Sequence, residues 1–188
     1  MDDRSSPSDL DFRVALLERA VTENARRLAE LARVLRGDKR SGARETVTID
    51  ADSVSPFAAG FHFRETDATG RPYRWTGRGD FFELRVRLDR NTDWTFEMDL
   101  RGNDHVNVAS LRGFVDYVEV PIAFSVLEAH AIGEIPAKPL SDVAVLTFYL
   151  PAHFVPSKLD PTSVDHRTLS AVFYGLKLVP GDGSAAKQ

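Results

Sequence analysis

The 188-residue sequence contains no cysteine. Disulfide staples and thiolate metal sites are therefore excluded, although this alone does not fix the compartment. It also lacks a surplus of positive charge: 24 Lys and Arg stand against 28 Asp and Glu, giving a net charge of −4 and a pI near 5.7. A phosphate backbone asks for a basic stripe interleaved with aromatics; none is present, so no nucleic-acid partner is expected. No apolar run approaches the roughly 20 residues that cross a bilayer. Met1-Asp2-Asp3-Arg4-Ser5-Ser6-Pro7 is acidic and polar, with no signal-peptide core behind it. The expectation is a soluble, cytoplasmic protein with no membrane span.

Catalytic signatures are missing as well. The five histidines, His62, His105, His130, His153 and His166, fall into no H-x-H, H-x-x-x-H or H-E-x-x-H pattern. No metal or cofactor is signalled. There is no nucleophile elbow, P-loop or dinucleotide fingerprint, so no catalytic residue is named and the protein reads as a non-enzyme.

What is present begins with a heptad stripe. Leu10, Val14, Leu17, Val21, Asn24, Leu28, Leu31 and Leu35 follow one another at alternating steps of four and three. That spacing keeps one seam apolar, as a coiled coil requires. Ser8 suits an N-cap, Asp9 and Asp11 the positive end of the helix dipole, and Gly37 a left-handed stop. The helix is predicted over 9–36, roughly 40 Å long. Arg13 at a g position and Glu18 at the following e position pair across a parallel seam. Arg13-Val14-Ala15-Leu16-Leu17-Glu18 resembles the short trimerisation motif of parallel three-stranded coiled coils. Asn24 is the one polar residue in the seam and would set its register by meeting its own symmetry mates, a water or an ion. Self-association is predicted, a homotrimer ahead of a dimer. The alternative is an amphipathic helix that packs on its own domain.

From Glu45 the apolar period changes from helical to two. Phe82, Leu84, Val86 and Leu88 alternate with charged residues, as do Trp94, Phe96, Met98 and Leu100 with polar ones. These segments read as a hairpin with one buried face, Arg85 lying opposite Glu97 and Trp94 in the core. Further strands are predicted near 46–50, 58–64, 72–77, 105–109, 114–126, 143–150 and 169–179. Many short strands separated by Gly, Pro, Asn and Asp turns imply a mainly β fold: an antiparallel, jelly-roll-like β-sandwich preceded by one long coiled-coil helix. The expected order is a disordered N-terminus (1–8), the oligomerisation helix (9–36), a linker (37–44), the sandwich (45–180) and a disordered tail (181–188).

Candidate binding residues are aromatic and polar groups close together. Tyr73-Arg74-Trp75 follows shortly after Phe61-His62-Phe63-Arg64-Glu65. A sugar site sets an aromatic face against the apolar side of a ring and planar polar groups against its hydroxyls. Trp75 could equally pack in the core, and Arg74 with Glu65 could be a plain cross-strand ion pair. The loop Asn103-Asp104-His105 reads as an ordinary polar turn.

Gly60-Phe61-His62-Phe63-Arg64-Glu65 and Gly70-Arg71-Pro72-Tyr73-Arg74-Trp75-Thr76-Gly77 together resemble the opening of a family of small β-sandwich modules. Phe154-Val155-Pro156, Asp165-His166-Arg167-Thr168-Leu169 and the strand Ala171 to Leu178 resemble its close. Those modules are carbohydrate-binding in type and accompany glycosyltransferases of bacterial surface-polysaccharide assembly. The resemblance covers about residues 60 to 178 and omits the helix; a Gly is usual there where Ser170 or Ala171 stands. It implies a lectin-like, polysaccharide-binding role, with Glu65, Arg74, Trp75, Asp165 and Arg167 at the site beside Tyr73. A glycan or a glycosyltransferase-associated protein would be the partner. The other reading is a protein–protein interaction or scaffold module with no sugar binding.

Overall fold

The computed structural model describes residues 7–34, 43–55, 58–125, 129–139 and 141–181. The chain divides into two compact units, residues 1–41 and residues 42–188.

The first unit is a helix, α1 (Pro7–Val34). Proline suits a first helical position, where its missing N–H would have no partner in any case. Ser8 accordingly lies inside the first turn instead of capping it. Val14, Leu17, Val21 and Leu28 of the heptad stripe are 47%, 66%, 69% and 68% exposed in the single chain. Asn24 is exposed with them. The side chains of Leu10 and Leu31, all of Leu35, the Gly37 stop and residues 1–6, 35–42 and 182–188 lie outside the described residues.

The second unit begins earlier than expected, because Ala43 already bridges to Leu88. Among the described residues its strands are β1 (Val47–Asp50), β2 (Phe61–Thr66), β3 (Pro72–Thr76), β4 (Phe81–Arg87), β5 (Trp94–Arg101), β6 (Arg112–Val115), β7 (Val118–Val120), β8 (Ile122–Ser125), β9 (His130–Ile135), β10 (Val143–Tyr149) and β11 (Val172–Pro180). One antiparallel sheet has the order β2-β3-β11-β5-β9-β8, with β1 also on β11; the other runs β4-β10-β6-β7. The two inner faces share one apolar core. Trp94, Phe96, Met98 and Leu100 of β5 with Phe173, Leu176 and Leu178 of β11 line one side; Phe82, Leu84, Leu146 and Phe148 line the other. Ring contacts cross the gap, with Phe61–Phe82 and Phe96–Phe148 centroids 5.3 Å and 5.5 Å apart. Each such ring stabilises the fold by about 1.5–3 kcal/mol relative to exposure.

The predicted hairpin does not form. β4 and β5 follow each other in sequence but lie in different sheets, β4 on β10 and β5 between β11 and β9. Arg85 therefore faces Val145, while Glu97 faces Lys177 and Ile132. Alternation specifies which side of a strand is buried and not its hydrogen-bonding partner, so a sheet-to-sheet crossover carries the same signature. The loop between them is pinned from within. Arg90, 2% exposed, donates to Asp116 Oδ2 at 3.1 Å, Pro136 O at 2.6 Å and Val143 O at 3.3 Å. Trp94 is in the core as expected, its Nε1 donating to Asp89 O.

Two other strand expectations change. The single strand predicted over 114–126 is broken into β6, β7 and β8. Asp116 and Tyr117 have φ values of 52° and 69°, which suit a two-residue hairpin turn, and Val145 N and Arg90 hold the Asp116 carboxylate in place. Near 105–109 the chain forms a short 3-10 turn, Val108–Ser110, capped by the Asn107 side chain, in place of a strand. β9 lies outside all of the predicted strand ranges. Its Gly133 is a packing requirement, since a Cβ there would lie 2.5 Å from Phe96 Cζ.

Candidate functional site

Strand β3 sorts its side chains by alternation. Arg74 and Thr76 point inward and are buried, whereas Tyr73 and Trp75 lie half-buried on the outer face of the larger sheet. Trp75 is thus neither a core residue nor a bare platform. Its ring packs edge-on against Phe154 at 5.7 Å and against Tyr73 at 6.2 Å.

Arg74 departs from the other sequence-named residues. It is 6% exposed, and its Nε, Nη1 and Nη2 donate to the carbonyls of Ala51, His62 and Val54 at 2.8, 3.1 and 3.0 Å. Those bonds join the loop after β1 to β2, which is a structural task on the face opposite the site. The alternative reading of Arg74 with Glu65 as a cross-strand ion pair is not met either, because the register sets Glu65 across from Tyr73 and Arg64 across from Arg74. Arg64 instead pairs with Asp52.

The remaining residues converge. The segment joining β10 to β11, Leu150 to Ala171, passes beside the outer face as a strap containing a short helix, α2 (Pro156–Leu159). Its two limbs are bridged at Phe154 and Leu169. Gly77, at φ +115°, lets its far end close on β3, since a Cβ there would lie 2.6 Å from Ser170 N. Arg167 sits in this strap and grips its own Asp165, Nη2 donating to Oδ2 at 2.7 Å and Nε to Oδ1 at 3.0 Å. Arg167 Nη1 then donates to Glu65 Oε1 at 2.6 Å, and Tyr73 Oη donates to Glu65 Oε2 at 2.9 Å. A chain Asp165–Arg167–Glu65–Tyr73 thus ties strap to sheet.

The electrostatics follow from these contacts. Hydrogen bonds from Arg167 hold Asp165 down to a pKa of about 2, and the two carboxylates raise that of Arg167. Tyr73 is raised by burial and by its bond to Glu65. His62 lies alongside, its Nε2 2.8 Å from Thr168 O. A carbonyl can only accept, so this nitrogen carries the proton. Burial, followed by the nearby Arg167 and Arg78 charges, lowers the His62 pKa. Both oxygens of Glu65 and of Asp165 are engaged by Tyr73 and Arg167 and Asp165 stays ionised, so the charged groups are held in fixed orientations. Among the described residues, no group of three or more His, Asp and Glu side chains stands close enough to hold a metal ion. Nor is any helix long and apolar enough to cross a membrane. The Asn103-Asp104-His105 loop is a turn closed on itself, Asn103 Oδ1 accepting from His105 N.

Tyr174, Arg71 and Arg101 extend this face and were not singled out in the sequence. Tyr174 lies 6.0 Å from Tyr73 by ring centroids. It faces out because β11 slips register between Phe173 and Gly175. A glycine inside an alternating strand is the sequence sign of such a bulge, and Tyr174-Gly175 carries it.

No family model matches this chain, and no curated protein does. Among solved structures it is similar to the Podospora anserina GH26-CBM35 β-(1,4)-mannanase, with a TM-score of 0.42, 11% identity, and coverage of 76% of this chain and 28% of that one. It is also similar to the ANXUR2 extracellular domain of Arabidopsis thaliana, with a TM-score of 0.34, 13% identity, and coverage of 75% and 40%. The chain thus spans less than half the length of these structures.

Proposed function

We propose that the β domain is a non-catalytic, carbohydrate-binding module, presented in several copies by a coiled coil formed through α1. The observation that supports this most is the grouping of Tyr73 and Trp75 with Glu65, Arg167 and Asp165 on one outer sheet face. Half-buried aromatic rings beside rigid guanidinium and carboxylate groups suit the two faces of a sugar ring. The exposed seam of Val14, Leu17, Val21 and Leu28 supports self-association, and the Arg13–Glu18 spacing favours three parallel strands. Single sugar sites bind weakly, and three tethered copies raise avidity on a repetitive polymer with no new contact. A cytoplasmic setting and a glycosyltransferase-associated partner belong to the same reading.

Glycan-array screening followed by calorimetry tests it, comparing the intact chain with Trp75→Ala and with a seam variant, Leu17→Asp with Val21→Asp. Binding is expected to be lost in the first. In the second, binding to a polymer weakens while binding to a short oligosaccharide is unchanged, and the mass by light scattering drops to one chain. A monomeric intact chain at micromolar concentration removes the coiled coil from the proposal, and absence of any glycan ligand removes the lectin. Phe63, 75% exposed on edge strand β2, favours the second reading, a protein partner docking along that edge. A partner pull-down that sugars fail to compete would support it.

A further inference from the structure

Past Glu65 and Tyr73 the same sheet face continues to a second polar group centred on Tyr174. The Arg71 guanidinium carbon lies 4.2 Å from the Tyr174 ring centroid and that of Arg101 lies 4.8 Å from it. Stacking on a ring fixes a guanidinium while leaving its in-plane donors available. Both cations lean on one carboxylate. Asp99 Oδ2 accepts from Arg71 Nη2 at 2.6 Å, and Asp99 Oδ1 lies 3.5 Å from Arg101 Nε. The Asp99 side chain is 14% exposed, against 44% for Arg71 and 53% for Arg101. The acid therefore lies beneath and the cations above.

The other acids here are occupied locally. Asp67 Oδ1 accepts from Thr69 N, Thr69 Oγ1 and Arg71 N, and Asp67 Oδ2 lies 3.4 Å from Tyr174 Oη. Glu97 pairs with His130 Nδ1 at 2.7 Å and stands across from Lys177. Each guanidinium offers five N–H donors, of which the contacts with Asp99 engage few. Both guanidinium groups are about half exposed, so their remaining donors are open to solvent beside Tyr174, in a fork geometry that matches a planar carboxylate.

We propose that Arg71, Tyr174 and Arg101 form a subsite for a carboxylate on the ligand, so that the glycan taken by this face is an acidic one. This rests on the sugar-binding reading above. A sugar ring held against Tyr73 and Trp75 directs an exocyclic carboxylate toward Tyr174, the neighbouring ring, where the two forks meet it.

Calorimetry on the intact chain tests this with oligosaccharides of uronic acids (galacturonate, glucuronate and mannuronate trimers), each beside its methyl ester and a neutral trimer. Esterification removes the charge and keeps the ring and the length. For at least one series the acid should bind about tenfold more tightly than its ester at low salt, with the ratio shrinking as salt is raised. Arg71→Gln and Arg101→Gln should each bring that ratio close to one without weakening the ester. Arg101→Lys should restore only part of it, because a point charge lacks the planar fork. Equal binding of acid and ester in every series that binds overturns the carboxylate subsite while leaving the sugar-binding module standing. So does a ratio that survives both Gln substitutions. If no saccharide binds, charged or neutral, the module reading itself fails. The acid–ester comparison needs no variant, so poor folding of a substituted chain cannot mask the outcome.

Discussion

Arg90 and Arg167 each bridge an acid and a neighbouring segment, yet their settings differ. Arg90 is sealed between the sheets, its acid Asp116 only 5% exposed. Arg167 and its acids Asp165 and Glu65 are 37%, 28% and 32% exposed. The first pair closes the crossover from β4 to β5 and cannot be reached from solvent. The second ties a strap to a sheet and remains open to anything that docks there. The same two functional groups therefore act as a structural plug in one place and as a recognition surface in the other; solvent access makes the difference.

Substitution can break this contrast, and the largest effect should come from the plug. Arg90→Ala takes the guanidinium at 3.1 Å away from the buried Asp116 and leaves Lys138 Nζ at 3.4 Å. Removing one partner of a buried pair costs about 3–5 kcal/mol. Chemical denaturation should show a loss near the lower end of that range, recovered in part by Asp116→Asn, with ligand affinity in the surviving folded fraction unchanged. Arg167→Ala should cost about 1 kcal/mol or less, since half-exposed pairs contribute little to stability. It should nevertheless lower glycan affinity and speed hydrogen exchange in the strap. Equal destabilisation by the two substitutions would erase the distinction and make Arg167 a structural residue.

The smallest effect is on pH dependence. Both His62 and Asp165 have lowered pKa values, so the folded state binds fewer protons than the unfolded one and stability falls with acid. The His62 contribution is complete above its ordinary 6.5 and diminishes as pH drops below it. The Asp165 contribution is complete above 3.8 and is lost between there and about 2. Protection of the strap amides, taken relative to intrinsic exchange at each pH, should fall modestly from pH 8 to pH 5, and His62→Gln should flatten that fall while leaving the loss below pH 4 in place. A fall identical in the His62→Gln variant would assign it to another group.

Period-two alternation made the mainly β character legible, and Trp94, Phe96, Met98 and Leu100 face inward as read. Strand partners were not legible, because a buried face can be covered by either sheet; Arg85 and Glu97 were paired on that ambiguity. Of the candidate site, Glu65, Tyr73, Trp75, Asp165 and Arg167 come together, although Glu65 and Arg167 are about a hundred residues apart and only the strap unites them. Arg74 was misplaced for a local reason: alternation turns it to the opposite face from both its neighbours. Tyr174 stayed hidden because its outward direction depends on a bulge, a one-residue slip that overrides the period. The helix seam was legible as a pattern, but a pattern in one chain does not specify the chain that covers it.

The position of β11 bears on how the protein is made. This strand is the last of the eleven to be synthesised, yet it lies between β3 and β5 and also carries β1. Until it leaves the ribosome the larger sheet exists only as pieces, β2 with β3, β5 with β9 and β8, and β1 alone. The smaller sheet, by contrast, has all of its strands by Tyr149. Open strand edges invite pairing with other chains, and the nascent domain carries such edges through most of its translation. Final closure of the larger sheet therefore waits for β11, and slow synthesis of the strap and of β11 would lengthen the interval in which those edges stay open.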